Sequence, residues 1–224
     1  MLADKKYCNG PHRILTDSIG FTDFFLPGEK AVLSNKKIYF SSGAEINLKN
    51  AYSWRLKIPK VFKKKVDLTC ISNALKGYSF VKPELAENLK LAFIRKDIPA
   101  FSRITDSIIG LGPGLTPSGD DILCGFISVF HFLKYERLFD FFLKKVKIKY
   151  NKTNFISAQY LKWAVDGKIC ENVANAIYCT AAGCEDAKYW INHVSGIGAT
   201  SGKDTLFGIL TAMEVYNVIK SGEK

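Results

Sequence analysis

Residues 110–125 of this 224-residue chain read Gly-Leu-Gly-Pro-Gly-Leu-Thr-Pro-Ser-Gly-Asp-Asp-Ile-Leu-Cys-Gly. No other stretch restricts the fold as much. Glycines at 110, 112, 114 and 119 and prolines at 113 and 117 rule out a regular helix or an inner strand. The segment must be a tight loop with its backbone exposed at close range. Ser118, Asp120 and Asp121 then lead into an apolar run over 122–133, the order expected of a loop feeding a buried helix. The first turn of such a helix offers free N–H groups and the positive end of the helix dipole, which suit an anion. The paired acids oppose an anion unless they hold a cation or a donor group. The plain alternative is an ordinary loop with Ser118 or Asp120 as helix cap.

The loop has an echo. Residues 196–208 read Gly-Ile-Gly-Ala-Thr-Ser-Gly-Lys-Asp-Thr-Leu-Phe-Gly. Setting Ser118 on Ser201 also pairs Gly119 with Gly202, Asp121 with Asp204, Leu123 with Leu206 and Gly125 with Gly208. The shared pattern is Ser-Gly-x-Asp-x-Leu-x-Gly, preceded both times by Gly-x-Gly. Two such loops serve one site, or mark two halves related by rough symmetry; coincidence among glycine-rich turns is the competing explanation. The first of these predicts that loops 110–121 and 196–204 meet at one pocket.

These residues carry a resemblance. Gly-Leu-Gly-Pro-Gly-Leu-Thr-Pro-Ser-Gly-Asp-Asp resembles the signature of domain of unknown function 2877, a family that includes the AllH-type subunit of oxamate carbamoyltransferase. Thr153 with Ser157, and the late Ser201-Gly202-x-Asp204 segment, resemble family features in the expected order. The likeness runs over roughly residues 100–216. It implies an enzyme subunit that works with partner subunits on a small anionic substrate. The implied reaction is carbamoyl transfer from carbamoyl phosphate to oxamate, giving oxalurate and phosphate. The Ser-x-Arg-Thr-Arg motif of the better-known carbamoyltransferases is absent, so such chemistry would use a different scaffold.

That reaction asks three things of a site. Phosphate needs N–H donors and cations. The attacked carbonyl needs donors aimed at its developing negative oxygen. The amide nucleophile must lose a proton. Asp121 and Asp204 are the candidate catalytic acids. Gly112, Gly114, Thr116, Ser118, Gly119, Asp120, Thr153, Ser157, Gly198, Ser201 and Gly202 are the candidate ligand contacts. No cofactor is expected, although the acids leave room for a divalent cation at Asp120/Asp121. The histidines at 12, 131 and 193 have no metal-ligand spacing. The alternative function is a non-catalytic subunit that binds a small anion or completes a partner's active site.

Net charge is +11. It fits acidic small molecules, acidic partner subunits or nucleic acid. The densest lysine cluster, residues 57–65, has one phenylalanine and no arginine, which reads as a solvated linker rather than a base-stacking surface. The six cysteines form no Cys-x-x-Cys pair and sit in apolar contexts, as reduced thiols in a cytoplasmic protein would. The N-terminal residues contain no apolar signal region, and the longest apolar run falls short of the ~20 residues a membrane span needs.

The expected fold class is α+β. A β-rich part over 1–60, with strands in 31–34, 37–40 and 45–48, precedes a helical part over 61–224 carrying the two glycine loops at helix N-termini. Helices are expected around 68–75, from Pro83 onward, over 121–133, 136–147, 151–166 and 169–182, and over 203–220.

Overall fold

The computed structural model describes residues 2–4, 8–11, 13–16, 28–56, 63, 65–80, 82–133 and 148–222. It divides into two compact units, residues 1–55 and 56–224. The expected helix at 136–147, and most of the lysine cluster at 57–65, lie outside the described residues.

The first unit is strand-rich. Strands β1 (Leu2–Asp4) and β2 (Ile14–Thr16) pair in parallel. Strands β3 (Ala31–Ser34), β4 (Lys37–Phe40) and β5 (Glu45–Asn47) form an antiparallel meander in the order β3-β4-β5. Asn35 and Lys36, at φ 48° and 58°, make the two-residue turn between β3 and β4. Both residues in that left-handed region match the twist a tight hairpin needs. The Lys37 ammonium then meets the Glu45 carboxylate across the meander at 2.7 Å.

The second unit is helical. It comprises α1 (Thr69–Ala74), α2 (Pro83–Ile94), α3 (Ile98–Ile108), α4 (Ser118–Phe132), a short 3₁₀ turn (Tyr150–Lys152), α5 (Phe155–Val165), α6 (Glu171–Ala182), α7 (Ala187–Ser195) and α8 (Ser201–Gly222). Helices α3 and α7 lie outside those expected from the sequence. In α3, Asp97 caps the start by accepting the Ala100 N–H, and Pro99 sits harmlessly in the first turn. The fold is α+β with its strands first.

Helix α4 is buried on nearly every side, as its largely apolar run requires. Phe126 and Phe130 pack with Phe93 of α2; Phe93 and Phe130 stack at 4.5 Å between ring centroids. Each fully buried phenylalanine contributes about 2–3 kcal/mol.

The main partner of α4 is α8, and their contact is reciprocal. A Cβ on Gly125 would lie 2.1 Å from the Thr205 carbonyl oxygen and 3.1 Å from the Ile209 nitrogen. A Cβ on Gly208 would lie 2.0 Å from the Ile122 carbonyl oxygen and 2.9 Å from the Phe126 nitrogen. Thr205 and Ile209 are the residues that the repeat alignment sets on Ile122 and Phe126. The loops entering the two helices are also closed alike. Leu111 N–H donates to Ile108 and Gly119 N–H to Leu111; Ile197 N–H donates to Val194 and Gly202 N–H to Ile197. The repeated sequence pattern is thus a local two-fold relation in space. Helix α8 also packs on α2, and α4 on α6, so each half reaches across to the other.

Candidate functional site

The two glycine loops deliver the N-termini of α4 and α8 to one place. The Thr116 hydroxyl in the first loop lies 2.8 Å from the Ser201 hydroxyl at the start of α8. Gly110, at φ 74°, sits against the backbone of the 3₁₀ turn, where a Cβ would fall 2.3 Å from the Lys152 oxygen. Gly112, at φ 112°, folds the loop back on Ser118, the first residue of α4. Gly114 is exposed with open space around it, and Gly198 turns the second loop at φ 59°.

Gly119 and Gly202 face protein backbone. A Cβ on either would lie 1.9 Å from a carbonyl oxygen, that of Ile108 or Val194. Packing of each loop on the preceding helix therefore accounts for both glycines.

Three acids occupy the junction in two separate environments. Asp120 is fully buried. Its Oδ1 accepts the Gly110 N–H at 2.8 Å, and its Oδ2 accepts the Ser157 hydroxyl at 2.6 Å and the Thr153 hydroxyl. Thr153 and Ser157 thus meet at Asp120, not across an open cavity. Asn154 caps α5 between them by accepting the Ser157 N–H. Together these contacts fasten loop, α4 and α5 to one another.

Asp121 and Asp204 form the second environment. Asp204 is 1% exposed and Asp121 9%. The Ser201 and Thr116 hydroxyls hydrogen-bond Asp121, and the Tyr78 hydroxyl donates to Asp204 Oδ1. The Oδ2 atoms of Asp121 and Asp204 are buried without a hydrogen-bond partner. Burial raises the Asp121 pKa to about 7; the charges of Asp204 and Asp120 add to the rise, while the Ser201 and Thr116 hydroxyls oppose it. Burial, followed by the bond to Asp204, pushes the Tyr78 phenol up. An unpaired buried carboxylate oxygen is costly.

Among the described residues, no three His, Cys, Asp or Glu side chains gather at a point suited to a metal ion. Asp120 already receives three donors on its two oxygens. His193 lies exposed on α7, its ring 4.5 Å from that of Tyr189. A cavity of about 260 Å³ opens beside Tyr78, with Ser72, Leu75, Phe80, Phe207 and Leu210 among its walls. No glycine-loop residue lines it.

Residues 108–213 match the family profile described as oxamate carbamoyltransferase subunit AllH. This stretch is similar to the AllH family. It opens at the last residue of α3 and closes inside α8, so it holds both loops, all three acids and every site residue chosen from the sequence. The AllH description is that of a subunit, which implies partner subunits. No solved structure matches the chain. No described helix is long and apolar enough to cross a membrane.

Tyr78 lies outside the AllH-family stretch, and sequence reading missed it. Its only local signal is Gly77, at φ 74° in the turn that follows α1. A tyrosine in a short connector carries no periodicity that would betray a partner on a distant helix.

Proposed function

We propose that the α4/α8 junction is the carbamoyl-transfer site that this chain supplies to an oxamate carbamoyltransferase. The observation that carries this reading is the pair of partnerless, buried Oδ2 atoms on Asp121 and Asp204 where two helix N-termini converge. Oxamate bears a primary amide with two N–H groups, and two inward-facing carboxyl oxygens are matched to it. In the reaction the amide nitrogen attacks the carbonyl carbon of carbamoyl phosphate. The new N–C bond forms, the nitrogen gives up a proton, and phosphate leaves.

Asp121, poised near neutral pH, is the proton acceptor. Asp204 holds and orients the amide through its free oxygen. The dipoles of α4 and α8 point their positive ends at the same region and favour the negative charge that builds on the carbonyl oxygen and the phosphate. Carbamoyl phosphate itself carries more charge than these dipoles offset, so cationic groups of a partner subunit complete its binding.

A second reading has its own support. Leu115 and Phe155, which neighbour Thr116 and Ser157, are 68% and 79% exposed. Large apolar side chains beside a polar junction suit a subunit that docks there and completes a partner's active site.

The deciding experiment uses the complex assembled with its partner subunits and follows oxalurate formation from carbamoyl phosphate and oxamate. On the catalytic reading, Asp121→Asn lowers kcat by about 100-fold or more while the complex still assembles. Turnover within about threefold of wild type would leave only the docking role.

A further inference from the structure

Helix α6 ends in a tightly specified turn, and both side chains that the turn brings together are cysteines. Gly183 follows the helix in the left-handed conformation, at φ 71° and ψ 42°. The Cys184 N–H donates to the Cys179 carbonyl at 2.8 Å, and the Gly183 N–H donates to the Thr180 carbonyl at 3.3 Å. Two such bonds, one nested inside the other around a left-handed glycine, make the Schellman ending of a helix. That ending sets the residue just past the glycine against a residue of the last helical turn, and contact between the two side chains commonly seals it. Here the pair is Cys179 and Cys184, and their thiols hydrogen-bond each other.

The two thiols are unequal. Cys179 is 6% exposed, and burial pushes its thiol up to about 12, with Cys184 and Asp186 adding to the rise. A buried, protonated thiol is a poor nucleophile toward an oxidant in solution. Cys184 is only half-buried. An oxidant therefore reaches Cys184 first, and Cys179 stands beside it as a protected thiol. An accessible cysteine next to a second thiol that can resolve it is the arrangement of a reversible redox pair.

We propose that Cys179 and Cys184 are a modification site, a dithiol that closes into a disulfide when the chain meets a peroxide. In the first step the Cys184 sulfur attacks a peroxide oxygen and the O–O bond breaks. With hydrogen peroxide the products are a Cys184 sulfenic acid and water. In the second step the Cys179 sulfur attacks the Cys184 sulfur. The S–S bond forms, the S–O bond breaks, and the departing hydroxide takes the Cys179 proton and leaves as water. The two thiols together lose two electrons, and one hydrogen peroxide becomes two waters. The new bond staples the turn between α6 and α7, and α7 leads into the second glycine loop at Gly196. The proposal stands apart from the carbamoyl-transfer reading and needs no partner subunit.

The test treats the reduced full chain with hydrogen peroxide at a level that oxidises free glutathione in a parallel sample. Remaining thiols are then blocked with iodoacetamide, and the protein is digested without reduction. Chymotrypsin cutting after Tyr178 and trypsin after Lys188 isolate Cys179 and Cys184 on one peptide and leave Cys170 on another. Mass spectrometry is expected to find peptide 179–188 unalkylated and lighter than its dithiol form by the two lost hydrogens. Dithiothreitol should restore both thiols. A 179–188 peptide that stays doubly alkylated would overturn the proposal, whatever happens to the other four cysteines. So would a bridge from Cys179 or Cys184 to a third cysteine, or a sulfinic acid at Cys184 with no ring. These outcomes are read on wild-type protein, so no variant has to fold. The order of attack is tested with dimedone, which captures sulfenic acids. It should label Cys184 in Cys179→Ser and leave Cys179 unlabelled in Cys184→Ser; the reverse pattern would overturn the assigned roles.

Discussion

The hydroxyls of Thr116 and Ser201 lie 2.8 Å apart although 85 residues separate them. This contact ties the first glycine loop to the start of the second long helix. Both hydroxyls also hold down the Asp121 pKa. Ser201→Ala should therefore move Asp121 further up, above its value of about 7, because a donor to the ionised form is lost. A ¹³C-carboxyl NMR titration of Asp121 checks this; a downward move would show that Ser201 serves another partner.

Asp121→Asn should stabilise the protein at neutral pH while damaging its function. The folded pKa of about 7 stands above the ordinary 3.8, so the unfolded chain ionises first as pH rises. Wild-type stability is then full below about pH 4 and declines until about pH 7, by up to roughly 4 kcal/mol. The variant escapes this decline. Urea unfolding at several pH values should show the two proteins equal near pH 4 and the variant more stable near pH 7. A wild-type advantage at pH 7 would mean that Asp121 is a structural acid.

Asp120 should behave in the opposite way. Its carboxylate is buried and receives the Gly110 N–H and the Thr153 and Ser157 hydroxyls. Asp120→Ala should cost about 3 kcal/mol or more, since three donors lose their acceptor inside the protein. Ser157→Ala should cost about 1 kcal/mol. Thermal and urea unfolding measure both, and a near-neutral Asp120→Ala would refute this fastening role.

Gly125→Ala and Gly208→Ala should each destabilise by roughly 2–4 kcal/mol, because the new methyl group meets helix backbone that cannot swing aside. The nearest atoms would be the Thr205 oxygen at 2.1 Å and the Ile122 oxygen at 2.0 Å. Gly114→Ala is the control. Its Cβ meets nothing within 4 Å, and the cost is only the strain of φ +92°, about 1–2 kcal/mol. Equal losses at all three positions would argue against the close α4/α8 contact.

The six cysteines carry no disulfide. Thiol counting on denatured, unreduced protein should give six free groups. A lower count would show pairing in solution.

The glycine loops, the meander and the long apolar helix were legible in the chain itself, because each is a local matter. Gly and Pro punctuate, turn residues separate short strands, and a largely apolar run over 122–133 must be buried. The hairpin turn at Asn35-Lys36 needed no distant partner; the helices expected over 121–133 and 203–220 begin a little earlier, at Ser118 and Ser201. The repeated Ser-Gly-x-Asp-x-Leu-x-Gly pattern also announced two related halves. Sequence alone could not say which acid faced which donor. Asp120 and Asp121 are neighbours in the chain, yet a helix turns adjacent side chains about 100° apart, sending one to Thr153 and Ser157 and the other toward Ser201. Tyr78, in the connector after α1, met Asp204 only when α8 came within reach, a pairing set by the core and not by spacing along the chain. The residue types and the loop positions were thus fixed by local chemistry. Their protonation and their partners were decided by burial, which exists only once α4 and α8 have packed.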